Sequence, residues 1–167
     1  LAQGMDSGEA SDSDLEAAMV RLNRWDNSKG DGESPAMLKK ELQQCMQLNF
    51  GVFRKEAPML EGIKKLEELR ERIGKASLND DSRAFNTARL EALELDNLLE
   101  IAEATAISAS GRRESRGAHA RDDFQTRDDE NWLCHSIFDP NTKTLSKRDV
   151  NFAPKTVPTF EPMERTY

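Results

Sequence analysis

Apolar residues recur at spacings of three and four through the first two thirds of the chain, a period that predicts helices. Leu15, Ala18, Met19, Leu22 and Trp25 place one apolar face on a short first helix, with Asp12 or Ser13 to cap it. Asn27 to Gly32 carries two glycines among small polar residues and predicts the loop that ends it. Ser34-Pro35 opens a second helix: serine suits the N-cap, and proline suits the first helical position, where its missing N–H has no partner to lose. Leu38, Leu42, Cys45, Met46 and Phe53 mark the inner face, and Pro58 is expected to break or kink the helix. A third helix is expected from about residue 58 to about 75, with Met59, Ile63, Leu66 and Ile73 inward and Glu61–Lys65 as a favourable i,i+4 pair. Asn79-Asp80-Asp81-Ser82 is expected to make the next turn and cap.

The fourth helix carries the strongest pattern. Phe85, Ala88, Ala92, Leu95, Leu99, Ala102, Ala106 and Ala109 alternate spacings of three and four, which is a heptad seam. Leu90, Leu93, Leu98 and Ile101 form a second apolar row, so this helix is expected to be central and to meet more than one neighbour. At about 1.5 Å per residue it would be about 40 Å long. Its change from leucine to alanine predicts a close backbone approach at the far end. After Gly111 the helical pattern stops, and residues 112–130 are dense in both signs of charge. Trp132 to Phe138 predicts a strand, Asp139-Pro140-Asn141-Thr142 a turn, and Leu145 to Phe152 a return strand. Prolines 154, 158 and 162 predict an extended tail over 153–167. The fold expected is mainly α: a three- or four-helix bundle, spectrin-repeat-like, followed by an irregular segment and a small β-hairpin. The expected organisation is a linker over 1–12, a helical bundle over 13–111, and the charged segment, hairpin and tail over 112–167.

Charge and composition narrow the function. The net charge is −7 with a sequence pI near 5.0, which disfavours nucleic acid and anionic lipid as partners. With mean hydropathy at −0.76, no apolar run approaches the roughly 20 residues that span a bilayer. Cys45 and Cys134 are expected as free thiols, since two cysteines make no disulfide framework and their separation fits no zinc spacing. His135 beside Cys134 is not expected to bind metal, because a strand points neighbouring side chains to opposite faces. No glycine-rich dinucleotide loop, P-loop or nucleophile elbow occurs, so no catalytic, cofactor-binding or metal residue is expected. The long irregular run is the exception to this plainness. Interleaved arginines and carboxylates can form bidentate pairs that fix a backbone, and Gly117 sits where a tight turn would need positive φ. Long irregular segments in compact proteins are usually functional or docked.

Those same residues carry a resemblance. Glu114-Ser115-Arg116-Gly117-Ala118-His119-Ala120-Arg121, then Asp123-Phe124, then Arg127-Asp128-Asp129-Glu130-Asn131-Trp132-Leu133-Cys134-His135, resemble the C-terminal signature of the succinate dehydrogenase flavoprotein subunit, closest to bacterial respiratory forms. Leu93 to Leu98, Ala102 to Ala106, Arg21 to Trp25, Met46 to Phe50 and the closing Arg165-Thr166-Tyr167 are similar to other parts of the same region, while Gln125 stands where the family commonly has proline. Fumarate reductase flavoproteins share the Glu-Ser-Arg-Gly-Ala-His run. The resemblance implies a C-terminal piece of a longer subunit. In the family, succinate is oxidised to fumarate on a covalently held FAD, and electrons pass to an iron–sulfur subunit and on to quinone. The FAD and the substrate residues belong to flavin and capping domains that have no matching positions here, so none of this chain's residues is expected to bind FAD, and the chain alone is expected to be inactive. The implied partners are those two domains and the iron–sulfur subunit, with membrane anchor subunits met indirectly. The implied location is the cytoplasmic face of the bacterial inner membrane, as a peripheral part of the complex. Arg116, His119, Arg121, Arg127 and Trp132 are the expected docking residues. An autonomous helical interaction module is the alternative from another class.

Overall fold

The computed structural model describes residues 8, 10–26, 30–82, 84–160 and 163. The elements along the chain are α1 (Asp12–Arg24), α2 (Pro35–Phe50), β1 (Phe53–Arg54), α3 (Glu56–Gly74), α4 (Thr87–Gly111), β2 (Ala120–Arg121), α5 (Asp129–Trp132), β3 (Cys134–Asp139) and β4 (Thr144–Asp149). The fold is mainly α and ends in a two-stranded antiparallel hairpin, β3–β4. Helices α2, α3 and α4 all touch one another and share one core. Leu38, Leu42 and Phe50 of α2 meet Met59, Leu66 and Ile73 of α3 and the seam Ala92–Leu95–Leu99–Ala102–Ala106–Ala109 of α4. The small-residue end of α4, Ala102, Ala106 and Ala109, is buried. A close approach lies between α2 and α3. A Cβ on Gly62 would sit 2.5 Å from Phe50 Cε2 and 2.7 Å from Asn49 Cβ, so only glycine lets α3 pass there.

Several boundaries and faces differ from the expectations. Helix α1 is capped by Ser11, whose side chain and Asp14 form a capping box, rather than by Asp12 or Ser13. No residue of α1 is buried: Leu15, Met19 and Leu22 are exposed, and Trp25, just past the helix, is the residue that reaches the core, at 2% exposure. Polar contacts tie this end to α4: Trp25 Nε1 donates to Asp96 at 2.9 Å, Arg24 pairs with Asp96, and Arg89 pairs with Asp26. Helix α2 ends at Phe50, eight residues before Pro58, so Phe53 lies off the helix and is 77% exposed. Pro58 sits in the first turn of α3, where its missing N–H has no intrahelical partner, and it breaks nothing. Helix α4 starts after Asn86, whose side chain accepts from the Arg89 N–H at 2.7 Å, rather than at Asn79–Ser82. Phe85 therefore precedes the seam, with φ +55° and full exposure. Of the second apolar row, Leu93 packs on the core, while Leu90, Leu98 and Ile101 stay exposed; α4 still meets α2, α3 and both hairpin strands, as expected of a central helix.

The hairpin also shifts. Trp132 closes the short helix α5 instead of starting the strand, which runs Cys134–Asp139 against Thr144–Asp149. Lys143 adopts φ +56° at the tip and reaches back to Glu103, a buried carboxylate on α4 that also takes a bidentate pair from Arg70. Leu145 packs on Gly111, where a Cβ would sit 2.6 Å from its Cδ1. The hairpin is thus fixed to the C-terminal half of α4 at two points. The described part of the predicted tail, 153–160 and 163, holds no helix or strand. The likeness at residues 165–167 lies outside the described residues.

Candidate functional site

Where α4 ends, four backbone carbonyls lose their helical partners and carry the negative pole of the helix. Residues 112–132 wrap this end. Arg121 enters the wrap, with its side chain buried at 1% exposure for the residue. Its Nη1 donates toward the carbonyls of Ala109, Ser110 and Arg112, at 3.4, 3.3 and 3.5 Å. Its Nε and Nη2 form a fork on Asp123, at 2.7 and 2.8 Å. A buried guanidinium thus finds both the helix pole and a bidentate carboxylate, which is what such a group needs out of water. Arg121 and the Glu56 N–H, which donates to its Oδ2 at 2.9 Å, hold the Asp123 carboxyl far below the usual carboxylate range.

Glu114 is the second centre, and it is fully buried. Its Oε1 accepts from Arg112 Nε and from Arg116 Nε, both at 2.8 Å. Its Oε2 accepts from Arg116 Nη2 at 3.0 Å and from the Asp128 backbone N–H at 2.9 Å. One carboxylate therefore draws residues 112, 116 and 128 together. Burial pushes its pKa up, but the Arg116 bond, the Asp128 N–H and the Arg112 bond outweigh it, so the carboxyl stays below its ordinary range. Ser115 ties the loop to itself: its hydroxyl donates to the Phe124 carbonyl at 2.8 Å and accepts from the Arg121 N–H at 2.8 Å. Gly117, with φ +56°, makes the turn of the Arg116–His119 bridge, as the turn reading required.

His119 connects the wrap to a distant segment. Its Nε2–H donates to the Arg112 carbonyl at 3.0 Å, and its Nδ1 accepts from Arg54 Nη1 at 2.7 Å. Those partners require the neutral ring with its proton on Nε2. Burial, and behind it the charges of Arg54, Arg121 and Arg112, lowers the pKa of this imidazole. Arg54 belongs to β1, which pairs in parallel with β2, Phe53 beside Ala120 and Arg54 beside Arg121. The loop after α2 is thereby stitched to the wrap.

The five residues singled out in the sequence fall into distinct places. Arg116, His119 and Arg127 line one open cleft of about 790 Å³ together with Phe53, Gln125 and Met163. Arg127 pairs with Asp129 at 2.8 Å and donates to the Met163 carbonyl at 2.8 Å. Arg121 touches this cleft but lies beneath it as the buried organiser. Trp132 stands apart, half-buried, with Lys147 Nζ 3.8 Å from its ring centroid on one side and Arg112 stacked at 5.4 Å. Among the described residues, no group of three or more His, Cys, Asp or Glu side chains is arranged to hold a metal ion.

This architecture has relatives. The family model described as fumarate reductase flavoprotein C-term matches residues 39–167. The chain belongs to this family. It is 47% identical over 152 residues to the succinate dehydrogenase flavoprotein subunit of Coxiella burnetii, covering 91% of this chain and 26% of that one. It is 32% identical over 158 residues to the fumarate reductase flavoprotein subunit of Haemophilus influenzae, again 26% of that chain. A solved structure of E. coli quinol fumarate reductase superposes with TM-score 0.76 at 35% identity, over 93% of this chain and 28% of that one. The chain thus spans about a quarter of the length of the relatives it matches.

Within this flavoprotein C-terminal domain, sequence reasoning missed three organisers of the wrap. Glu114 and Asp123 were visible as part of the motif, but nothing in the motif distinguished the buried Glu114, or the Asp123 that Arg121 grips, from the neighbouring Asp122. Arg54 lies 65 residues from its partner His119, and the one local signal was an arginine next to the end of a helix.

Proposed function

We propose that this chain is the C-terminal accessory domain of a succinate dehydrogenase flavoprotein subunit, which oxidises succinate to fumarate on FAD and passes electrons through an iron–sulfur subunit toward quinone. The single observation that carries it is the 47% identity, over 91% of the chain, to a succinate dehydrogenase flavoprotein subunit. The 32% identity to a fumarate reductase subunit favours that enzyme less. FAD, held covalently in the intact subunit, supplies the hydride acceptor. Arg112, Arg116 and Arg121 are already engaged by Glu114, Asp129 and Asp123 and are not free to hold a dinucleotide. The chain's role is assembly, and it is inactive alone. Arg116, His119 and Arg127 present the cleft to the flavin and capping domains of the same subunit, with Trp132 at its side, while Arg121 holds the backbone beneath it. Among the described residues no helix is long and apolar enough to cross a membrane. We place the domain at the cytoplasmic face of a bacterial inner membrane, reaching the anchor subunits only through the iron–sulfur subunit.

The test is Arg116→Ala in the full-length subunit, with bound flavin per subunit, yield of the assembled complex, and succinate oxidation against fumarate reduction all measured. The expected result is a loss of flavin retention or assembly, with succinate oxidation the faster reaction in the unaltered enzyme. Unchanged holoenzyme yield would sink the docking role; faster fumarate reduction would move the domain to the other enzyme.

A further inference from the structure

On the side of His119 that faces α4 and β3, a second open cleft of about 540 Å³ adjoins the Phe53–Met163 face and shares Arg116 and His119 with it. Arg54, Arg112, Arg116, His119 and His135 line it, with hydroxyl side chains of α4 and β3 between them, and no carboxylate is among its lining residues. Arg112 and Arg116 are neutralised from behind by Glu114. Arg54 is not. Its Nε donates to the carbonyls of Phe50 and Gly51, at 3.3 and 3.1 Å, and its Nη1 donates to His119. Among the described residues, no carboxylate pairs with it. Burial and the nearby Arg121 charge both lower its pKa, a sign that the cation is held at a cost.

Other arginines surround it. Arg54, Arg112, Arg116, Arg121 and Arg127 gather in one region, where Glu114, Asp123 and Asp129 are the carboxylates paired with them. Arg54 is the one of these five that has no carboxylate partner among the described residues. A half-buried guanidinium that has exchanged water for two carbonyls and an imidazole still lacks the oxygen pair its planar fork matches best. His119 does not supply it: its ring offers one acceptor nitrogen, which takes a single bond from Arg54 Nη1. The pairs already made hold the side chain in place, so a ligand would meet a pre-organised donor.

We propose that this cleft is an oxyanion site, anchored by Arg54 and rimmed by Arg116 and His135, that takes a carboxylate or phosphate group. It shares Arg116 and His119 with the docking face but is carried by Arg54, which that face does not include, so docking can fail while Arg54 still binds an anion. The occupant is either a free phosphate-type anion or a carboxylate side chain from elsewhere in the subunit.

The test is a titration of the chain with inorganic phosphate, and separately with acetate, at constant ionic strength, followed by NMR of the arginine side-chain N–H groups. The expected result is a saturable shift of the Arg54 and His119 signals. Arg54→Gln should weaken the apparent constant at least about tenfold, the scale of one charge-assisted hydrogen bond, and Arg54→Lys should fall between. Lys39→Gln, in the first half of α2 and outside the cleft lining, should change nothing, and far-UV circular dichroism checks that the variants stay helical. The Arg54 signal of the unaltered chain gives the answer even if a variant fails to fold. A preference for phosphate assigns a free anion as occupant; a preference for acetate assigns a protein carboxylate. No saturable shift at Arg54, or an unweakened constant in Arg54→Gln, overturns the proposal.

Discussion

The α2–α4 core and the wrap over residues 112–132 are adjacent in space but held by different forces. In the core, leucines, alanines and a few larger apolar side chains are removed from water with little directional demand. In the wrap, the fully buried side chains are Glu114 and Arg121, and charged hydrogen bonds of fixed geometry organise the backbone. The first kind of region tolerates changes that conserve volume and responds weakly to pH. The second tolerates almost no change of chemistry and depends on the protonation of its members. A domain that must present a shaped polar surface gains from having both: a bundle that folds on apolar burial, and a backbone at its end that the charges fix in one conformation.

Leu95→Ala should have the largest effect, since Leu95 is fully buried at the middle of the seam. We expect a loss of about 3–4 kcal/mol in denaturant unfolding, with α2, α3 and α4 all affected together. Glu114→Gln should come next, at about 3 kcal/mol, because it removes the shared partner of two partly buried guanidiniums. Its signature is different: amide exchange should accelerate in 112–132 while the protected amides of α2–α4 keep their rates. Uniform acceleration would erase the distinction between the two regions. Gly62→Ala should cost about 2 kcal/mol by overpacking against Phe50 and Asn49, again as a bundle effect seen in thermal melts. At the small end, Lys39→Ala removes an exposed pair with Glu94 and should shift stability by less than about 0.5 kcal/mol.

Acid should separate the regions without any mutation. The pKa of His119 is lowered from its ordinary value of 6.5, so as pH falls the unfolded imidazole takes its proton first. The contribution is complete above pH 6.5 and is lost as pH falls from there toward the lowered native value. Glu114 is lowered from 4.5 and Asp123 from 3.8, so their contributions are lost further down in the same direction. Protonating His119 would also set a proton on Nδ1 against the Arg54 guanidinium and break that stitch.

How legible each region was follows from the same contrast. The order of four helices and a hairpin, and the seam from Ala92 to Ala109, were written in periodicity, because apolar burial repeats with the helix turn. Ends were less legible. Phe53 and Phe85 matched the spacing but fall just outside helices, since a periodic match cannot see where the backbone stops. Pro58 misled because its effect depends on which turn holds it. The face of α1 was apolar in sequence yet stays exposed, because the residues that would cover it are not fixed by its own pattern. In the wrap, the motif announced that something was built there, and Gly117 was legible as a turn. Its pairings were not: Arg54 with His119, and Glu114 with Arg112, Arg116 and the Asp128 N–H, are choices among many carboxylates and arginines that only three-dimensional placement makes.

The most direct measurement is residue-resolved amide exchange of the unaltered chain between about pH 7 and pH 5, corrected for intrinsic rates. The N–H groups of Arg116, His119 and Arg121, bonded within the wrap, should lose protection on acidification while those of α3 and α4 hold theirs. Loss of protection in both regions together, or in neither, would contradict the claim that charge fixes the wrap and apolar burial fixes the bundle.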